Sequence, residues 1–190
     1  MSTALPYGLR DIKIQSYADQ EGTVLATGPG AIVDLPNAQT LSFEEAEDFE
    51  ELRGDDRTVT VHGKGAVVEF EFESGGLPLD VLPKINGGTL TETGVEGAKK
   101  VKYTKRGSDV KPFFRIFGRV ISDSGGDVHA VIYRCKLSDS FEGEFGDGEF
   151  FVTNGSGQGL PMLDETEDII YDFIHNQTAT PLATTAPVTP

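Results

Sequence analysis

Apolar and polar residues alternate through most of the chain, and the alternation is clearest in the segment VEFEFE, residues 68–73. Successive side chains of a β-strand point to opposite faces, so Val68, Phe70 and Phe72 are predicted to share one face. The three glutamates then form a row on the other face, about 7 Å apart. The apolar face requires a core, whereas the row of like charges requires water, counterions or a cationic partner opposite it.

Further strands are predicted where the same alternation recurs between clusters of Gly, Asp and Ser. A first strand is expected at residues 9–17, and residues 26–39 are expected to be a Gly/Pro-rich loop with room for one short strand. The strongest hairpin signal joins residues 112–123 to residues 127–137. Residues 139–153, in which acids alternate with phenylalanines, predict another strand, and residues 167–175 an ordered element of either type.

The apolar phase changes within residues 58–73. Val59 and Val61 occupy odd positions, whereas the apolar residues of 68–73 occupy even positions. A shift of one residue turns every side chain to the opposite face, so a bulge is needed for both runs to serve one core. The sequence Gly63-Lys64-Gly65 is the predicted position of this bulge.

Residues 42–53 carry two conflicting signals. Ser42 and Glu45 form a capping box, and apolar residues recur at helical spacing, which favours a helix. The same residues also fit one strand of a long hairpin that turns at residues 53–56, with Leu41 and Phe43 on one face. The residue pattern alone leaves both structures open.

The segment after the acidic strand, residues 75–88, begins and ends with glycine pairs. Leu79, Leu82 and Ile85 share one face at helical spacing, while Pro83 limits the length of any helix. We expect a short helix that covers one end of the sheet. The predicted core residues are Val68, Phe70, Phe72, Leu79, Leu82 and Ile116.

Length and composition favour one folded domain. Of the 190 residues, 37% are apolar and 25% charged, and the 23 glycines suit an all-β fold with many turns. The domain is expected to span residues 1–177. Residues 178–190, rich in Thr, Ala and Pro, are expected to form a flexible tail.

Charge and cysteine content exclude several functions. Asp and Glu number 31 against 16 Lys and Arg, a formal net charge of −15, which argues against ordinary sequence-independent DNA binding. Cys135 is the only cysteine, so neither an intrachain disulfide nor a cysteine-based zinc site is expected. Because the sequence shows no leader and no long apolar run, we expect a protein made in a reducing cytoplasm, without a membrane partner.

No residue pattern indicates catalysis or cofactor binding. His62, His129 and His175 are far apart and lack the spacing of metal ligands. The segment at 62–68 lacks the Lys-Ser/Thr of a phosphate-binding loop, and Cys135 lies in a hydrophobic alternation typical of a buried thiol. We therefore expect no enzyme activity, no cofactor and no metal site.

Charge is distributed unevenly along the chain. Acids dominate residues 44–73, whereas residues 99–119 carry eight Lys or Arg and one Asp. The simple interpretation is two solvated faces of opposite sign. A sharper interpretation is that the basic segment of one copy meets the acidic segment of the next, a head-to-tail contact that generates rings or filaments. The cations predicted to make this contact are Lys99, Lys100, Lys102, Lys105 and Arg106.

The chain resembles the major tail tube proteins of long-tailed, non-contractile (siphovirus-type) bacteriophages. The resemblance covers most of residues 6–175 and depends on four segments, which are individually only moderately specific. These segments are PYGLRDIKI, DLPNAQTLSF, ELRGDD and VVEFEFESGGLPLDVLPKINGG.

The resemblance implies a β-sandwich or barrel-like subunit with a flanking helix and a long hairpin, which favours strand over helix at Thr40 to Leu52. It also implies a structural virion protein of the phage tail. Subunits would form hexameric rings that stack around a tape measure protein and later conduct genomic DNA without binding it specifically. Tail terminator and baseplate or tail-tip proteins would be further partners.

Within that picture the acidic row has a predicted role. A cationic lumen would retain DNA through counterion release, whereas an acidic lumen would not. Six copies at −15 each give −90 per ring, a repulsion that the basic segment would have to offset. The predicted lumen-lining residues are Glu69, Glu71, Glu73, Glu45 and Glu47.

Two other functions are compatible with the residue pattern. A β-sandwich binding module for carbohydrate or protein would use an aromatic platform, which the absence of Trp disfavours. An acidic hydrolase would need two converging carboxylates, which spacing along a sequence does not reveal.

Overall fold

A computed structural model of the chain describes residues 3–54, 57–138, 142–163 and 168–184. Strands make up 55% of the chain and helix 2%, which confirms the prediction of a mainly β fold with one short helix. In chain order the elements are β1 (Pro6–Ser16), β2 (Ile32–Asp34), β3 (Ala38–Gly54), β4 (Arg57–Gly75), α1 (Leu82–Ile85), β5 (Thr89–Thr93), β6 (Lys100–Thr104), β7 (Phe114–Ser122), β8 (Asp127–Leu137), β9 (Val152–Gly159) and β10 (Tyr171–Asn176).

Eight strands form one antiparallel sheet, in which the order β2-β1-β7-β8-β9-β4-β3 is continuous and β10 also pairs with β8. Strand β8 changes its neighbour along its length, from β10 at residues 127–132 to β9 at residues 135–137. The change occurs at a bulge around Arg134, whose φ of 43° lies in the left-handed region. Strands β5 and β6 form a separate two-stranded hairpin.

The sheet bends so that its two halves pack against each other. Leu41 of β3 lies so close to Gly118 of β7 that a Cβ atom on Gly118 would be 2.6 Å from Leu41 Cδ2. The buried cluster between the halves takes residues from β1, β4, β7, β8 and α1. Of the predicted core residues, Val68, Phe70, Phe72, Leu82 and Ile116 are buried in this cluster, and Leu79 packs against it partly buried.

Residues 42–53 lie in strand β3, so the strand alternative is the one that the structure adopts. Leu41 pairs with Phe72 and Phe43 with Phe70, which places their side chains on the inner face of the hairpin. Contacts with the rest of the protein at this face outweigh the local helix signals, because isolated helix propensity is weak without tertiary packing.

The bulge occurs where the change of apolar phase predicts it. Glu47 pairs with Ala66 and Phe49 pairs with Gly63, so β4 contains one extra residue between these two pairs. Gly65 has a φ of 95°, a conformation that favours glycine. The bulge therefore keeps Gly63, before it, and Ala66, after it, on the same face of the hairpin.

The predicted strand at 139–153 is wrong for most of its length. Strand β9 spans Val152–Gly159, and residues 142–151 contain only an isolated bridge between Glu142 and Asn154. Three glycines in residues 142–151 interrupt regular structure there, and Gly148 has a φ of 80°. Residues 139–141 lie outside the described residues.

The other sequence expectations correspond to definite elements. The first strand is β1, the short strand of the Gly/Pro-rich loop is β2, and the 112–137 hairpin is β7 and β8. Residues 171–176 form strand β10, and helix α1 has a proline in its first turn. Its Leu82 and Ile85 are buried.

Candidate functional site

The acidic row lies on a polar face that extends over three strands. Glu69, Glu71 and Glu73 of β4 each have a direct neighbour in β3 and another in β9. Directly paired residues share a face of the sheet, so across these three strands the surface contains carboxylates, hydroxyls and amides but no large apolar side chain, and Lys136 of β8, which pairs with Gln158, lies at its edge. Its members are Thr40, Ser42, Glu44, Glu69, Glu71, Glu73, Asn154, Ser156 and Gln158.

Hydrogen bonds across the strands orient two of the glutamates. Thr40 Oγ1 donates to Glu73 Oε2 over 3.2 Å, and Gln158 Nε2 donates to Glu69 Oε1 over 3.4 Å. Among the described residues, no Lys or Arg lies within ion-pair distance of Glu69, Glu71 or Glu73. The face therefore carries uncompensated negative charge within the subunit.

Glycines of β9 let core side chains pack closely against the inner face of the sheet, opposite the acidic row. A Cβ atom on Gly155 would be 2.5 Å from Phe72 Cζ, and one on Gly157 would be 2.8 Å from Phe70 Cζ. The alternation of polar residues with glycine in VTNGSGQG lets the two phenylalanine rings lie against the β9 backbone. This alternation is a sequence signal for a strand that the acid and phenylalanine pattern at 139–153 obscured.

The five predicted lumen residues do not share one face. Glu45 pairs with Val68 and Glu47 with Ala66, so both lie on the inner face of the hairpin, opposite the acidic row. Glu45 Oε2 accepts a hydrogen bond of 2.8 Å from the Tyr171 hydroxyl, which raises the pKa of Tyr171. Grouping Glu45 and Glu47 with the acidic row is therefore wrong, because in this part of the hairpin the odd residues of β3 pair with the even residues of β4.

The end of the hairpin projects beyond the rest of the sheet. Strand β9 pairs with β4 only at residues 68–75, so residues 47–54 and 57–67 form a two-stranded extension, which we call the arm. Phe49 and Leu52 of the arm are 62% and 61% exposed. In the described residues, the outer edge of β3 has no partner strand over its 17 residues.

The predicted basic patch lies on the small β5–β6 hairpin and the loop after it. Two of its five cations are already engaged within the subunit. Lys99 Nζ lies 3.4 Å from Glu92 Oε2, and Lys105 Nζ donates to the backbone carbonyls of Asn86 and Asp109. Lys100, Lys102 and Arg106 are exposed on the same structure.

A buried carboxylate connects the C-terminal segment to the sheet. Asp127 is fully buried and accepts hydrogen bonds from Asn176 Nδ2 at 2.9 Å, Arg119 Nε at 2.7 Å and the Thr180 N–H at 2.8 Å. Burial alone would raise the pKa of Asp127, but these hydrogen bonds hold it well below its ordinary value. Thr180, in the segment expected to be a flexible tail, thus contacts the sheet, and residues 185–190 lie outside the described residues.

The remaining candidates for chemistry do not converge. In the described parts of the chain, no group of three or more His, Cys, Asp or Glu could hold a metal ion. Cys135 is fully buried, and burial raises the pKa of its thiol. Within the same ranges, no helix has the length and apolar character needed to cross a membrane. The expectations of no enzyme activity, no cofactor and no membrane partner stay predictions.

The chain matches no protein-family model, and no curated protein is similar to it at a significant level.

Proposed function

We propose that this protein is a structural subunit that self-assembles into stacked rings, the tail tube of a long-tailed bacteriophage. The tube conducts DNA into the host cell, and hexameric symmetry is what the sequence resemblance implies. The subunit is assembled in the host cytoplasm and functions in the virion. Its partners are other copies of itself, the tape measure protein, and the tail terminator and baseplate or tail-tip proteins.

The observation that carries this proposal is the unpaired edge of β3 together with the arm. A long exposed edge strand presents a row of backbone donors and acceptors, which soluble proteins normally cover or interrupt. Here the edge belongs to a 17-residue strand, and Phe43, Phe49 and Leu52 of that strand are exposed. Pairing with a strand of a neighbouring copy would satisfy the backbone donors and acceptors of this edge.

The polar face supports a conduit rather than another kind of assembly. It combines four glutamates with hydroxyl and amide side chains across β3, β4 and β9, and Lys136 of β8 lies only at its edge. Such a wall would not release DNA counterions and so would not hold the duplex. At physiological salt, screening acts over about 8 Å, so repulsion acts near the wall and little at the tube axis.

Sedimentation velocity and negative-stain electron microscopy over a range of protein and salt concentrations test the proposal. We expect particles much larger than one subunit, with rings or tubes in the images. A single monomeric species under all conditions would contradict self-assembly.

A further inference from the structure

Three cations surround aromatic rings on the face of β7 and β8 that points away from the core. Arg115 lies between two fully buried residues of β7, and Lys136 between two buried residues of β8, so both side chains point outward. Arg134 occupies the bulge of β8 in a left-handed conformation that non-glycine residues rarely adopt. We call Arg115, Arg134 and Lys136 the outer cation cluster.

Each cation of the cluster contacts an aromatic ring. The Arg115 guanidinium carbon lies 4.5 Å from the centre of the Phe117 ring. Arg134 and Lys136 both lie over the ring of Phe113, at 4.8 Å and 4.7 Å. Cation–π contacts orient the charged groups without neutralising them, so the surface keeps its positive charge.

The cluster has no carboxylate partner within the described residues. Arg115 Nη2 donates to Gln15 Oε1, and its buried Nε has no hydrogen-bond partner. Arg134 donates to the backbone carbonyls of Glu21 and Pro161 over 3.1 Å and 3.3 Å. Burial lowers the pKa of Arg115. Unpaired cations are unexpected in a chain with about twice as many acids as bases.

The arm and the adjoining part of β3 carry the complementary charge. Residues 44–51 contain six Asp or Glu and no Lys or Arg. Glu45 and Glu47 lie on one face about 7 Å apart, and Glu45 accepts a hydrogen bond from Tyr171 within the subunit, so Glu47 is the acid of this face that suits contact with a cation on an adjacent subunit. Phe49, on the same face, is exposed and could pack against the aromatic rings of the cluster. Arginine and aromatic residues are enriched at protein interfaces.

We propose that the outer cation cluster of one copy binds the acidic arm of another copy. This interface rests on the self-assembly proposed above and identifies the surface that receives the arm. The outer cation cluster takes the place of the β5–β6 hairpin as the predicted basic surface, because Lys99 and Lys105 of that hairpin already have partners within the subunit. Because the arm and the cluster are different surfaces, the contact is heterologous and leads to a ring or a filament.

Charge reversal and rescue test the interface. The variants are Lys136→Glu, the arm variant Glu47→Lys, and a chain that combines both changes. We expect the first two each to raise the concentration needed for assembly by about tenfold or more at low salt. The combined chain should return to within about threefold of the unsubstituted protein, because the reversed charges attract again.

Lys102→Glu, combined with the same arm change, is the matched control, because Lys102 lies on the β5–β6 hairpin. Circular dichroism shows which variants are folded. If Lys136→Glu is not folded, Lys136→Gln is compared with Lys102→Gln instead: weaker assembly of Lys136→Gln alone supports the interface, and equal assembly of the two overturns it. Rescue by Lys136→Glu alone supports the interface. Tubes with no rescue, or with rescue by Lys102→Glu instead, overturn the interface and leave the proposed function intact. An unsubstituted chain that never assembles overturns both.

Discussion

Gly157 illustrates how a single missing side chain lets β9 lie against the core. A Cβ atom at this position would be 2.2 Å from the Lys136 backbone oxygen and 2.8 Å from Phe70 Cζ. We predict that Gly157→Ala lowers the free energy of unfolding by about 1–3 kcal/mol, since backbone and a buried ring would both have to move. Urea denaturation measures the change. Gln158→Ala, at the exposed neighbouring position, should stay within about 0.5 kcal/mol, and equal effects of the two variants would contradict this explanation.

Asp127 makes the stability of the fold depend on pH. The pKa of Asp127 in the folded state is held below its ordinary value of 3.8. Above that pH, Asp127 is ionised in both the folded and the unfolded state, so its full contribution to stability is present. As pH falls below 3.8, the unfolded state binds a proton that the folded state resists, and the stabilisation decreases.

We predict that Asp127→Asn lowers the free energy of unfolding at neutral pH by about 3 kcal/mol, because Arg119 loses its buried partner. The variant should also lose less stability on acidification than the unsubstituted protein. Urea midpoints between about pH 3 and pH 7 measure both effects. Parallel pH curves for the two proteins would show that Asp127 is not the titrating group.

At the scale of elements, the β3–β4 hairpin shows what local sequence patterns reveal and what they leave open. The bulge at residues 63–65 was predictable because the phase of the apolar residues changes there. The local pattern did not decide between strand and helix at 42–53, because the contacts that decide it are with Phe70 and Phe72, outside the segment. The failure at 139–153 has a related cause: Phe145 and Phe150 are 82% and 96% exposed, although their alternation indicated a buried strand face.

The exposed arm leads to a prediction about assembly rather than stability. Phe49 is 62% exposed, so Phe49→Ser should change the free energy of unfolding by no more than about 0.5 kcal/mol. If the arm is an interface, the same change should raise the concentration needed for assembly, as sedimentation velocity would show. Val95→Ser, 75% exposed beyond the end of β5, serves as the control and should leave assembly unchanged. Equal behaviour of both variants would argue against the arm.

For the whole molecule, the fold class followed from composition and alternation, but the arrangement of charges in space did not. The sequence showed an acidic and a basic segment, yet two of five predicted lumen residues, Glu45 and Glu47, lie on the opposite face. Arg115, Arg134 and Lys136 all lie on the hairpin that the sequence predicts, but the bulge around Arg134, which decides the residues that lie opposite each other, was not predicted. The sequence pattern indicated which segments pair but not their exact register.

The acidic row gives a prediction for the assembled particle. Replacing Glu69, Glu71 and Glu73 together by Gln should leave tube assembly intact, because these residues lie away from the β3 edge, and should slow the release of DNA from particles that contain the variant. The control variant replaces Glu96, Glu144 and Glu149 by Gln. It removes the same amount of charge at other positions and should not slow the release of DNA. Loss of tubes in the first variant would instead identify the row as an interface.

Cryo-electron microscopy of the purified, assembled protein tests the central claim most directly. We predict stacked rings in which the polar face of β3, β4 and β9 lines the channel, with Glu69, Glu71 and Glu73 facing the axis, and the edge of β3 paired with a strand of the neighbouring copy. A protein that remains monomeric at every concentration and salt, or tubes that carry these three glutamates on their outer surface, would contradict it.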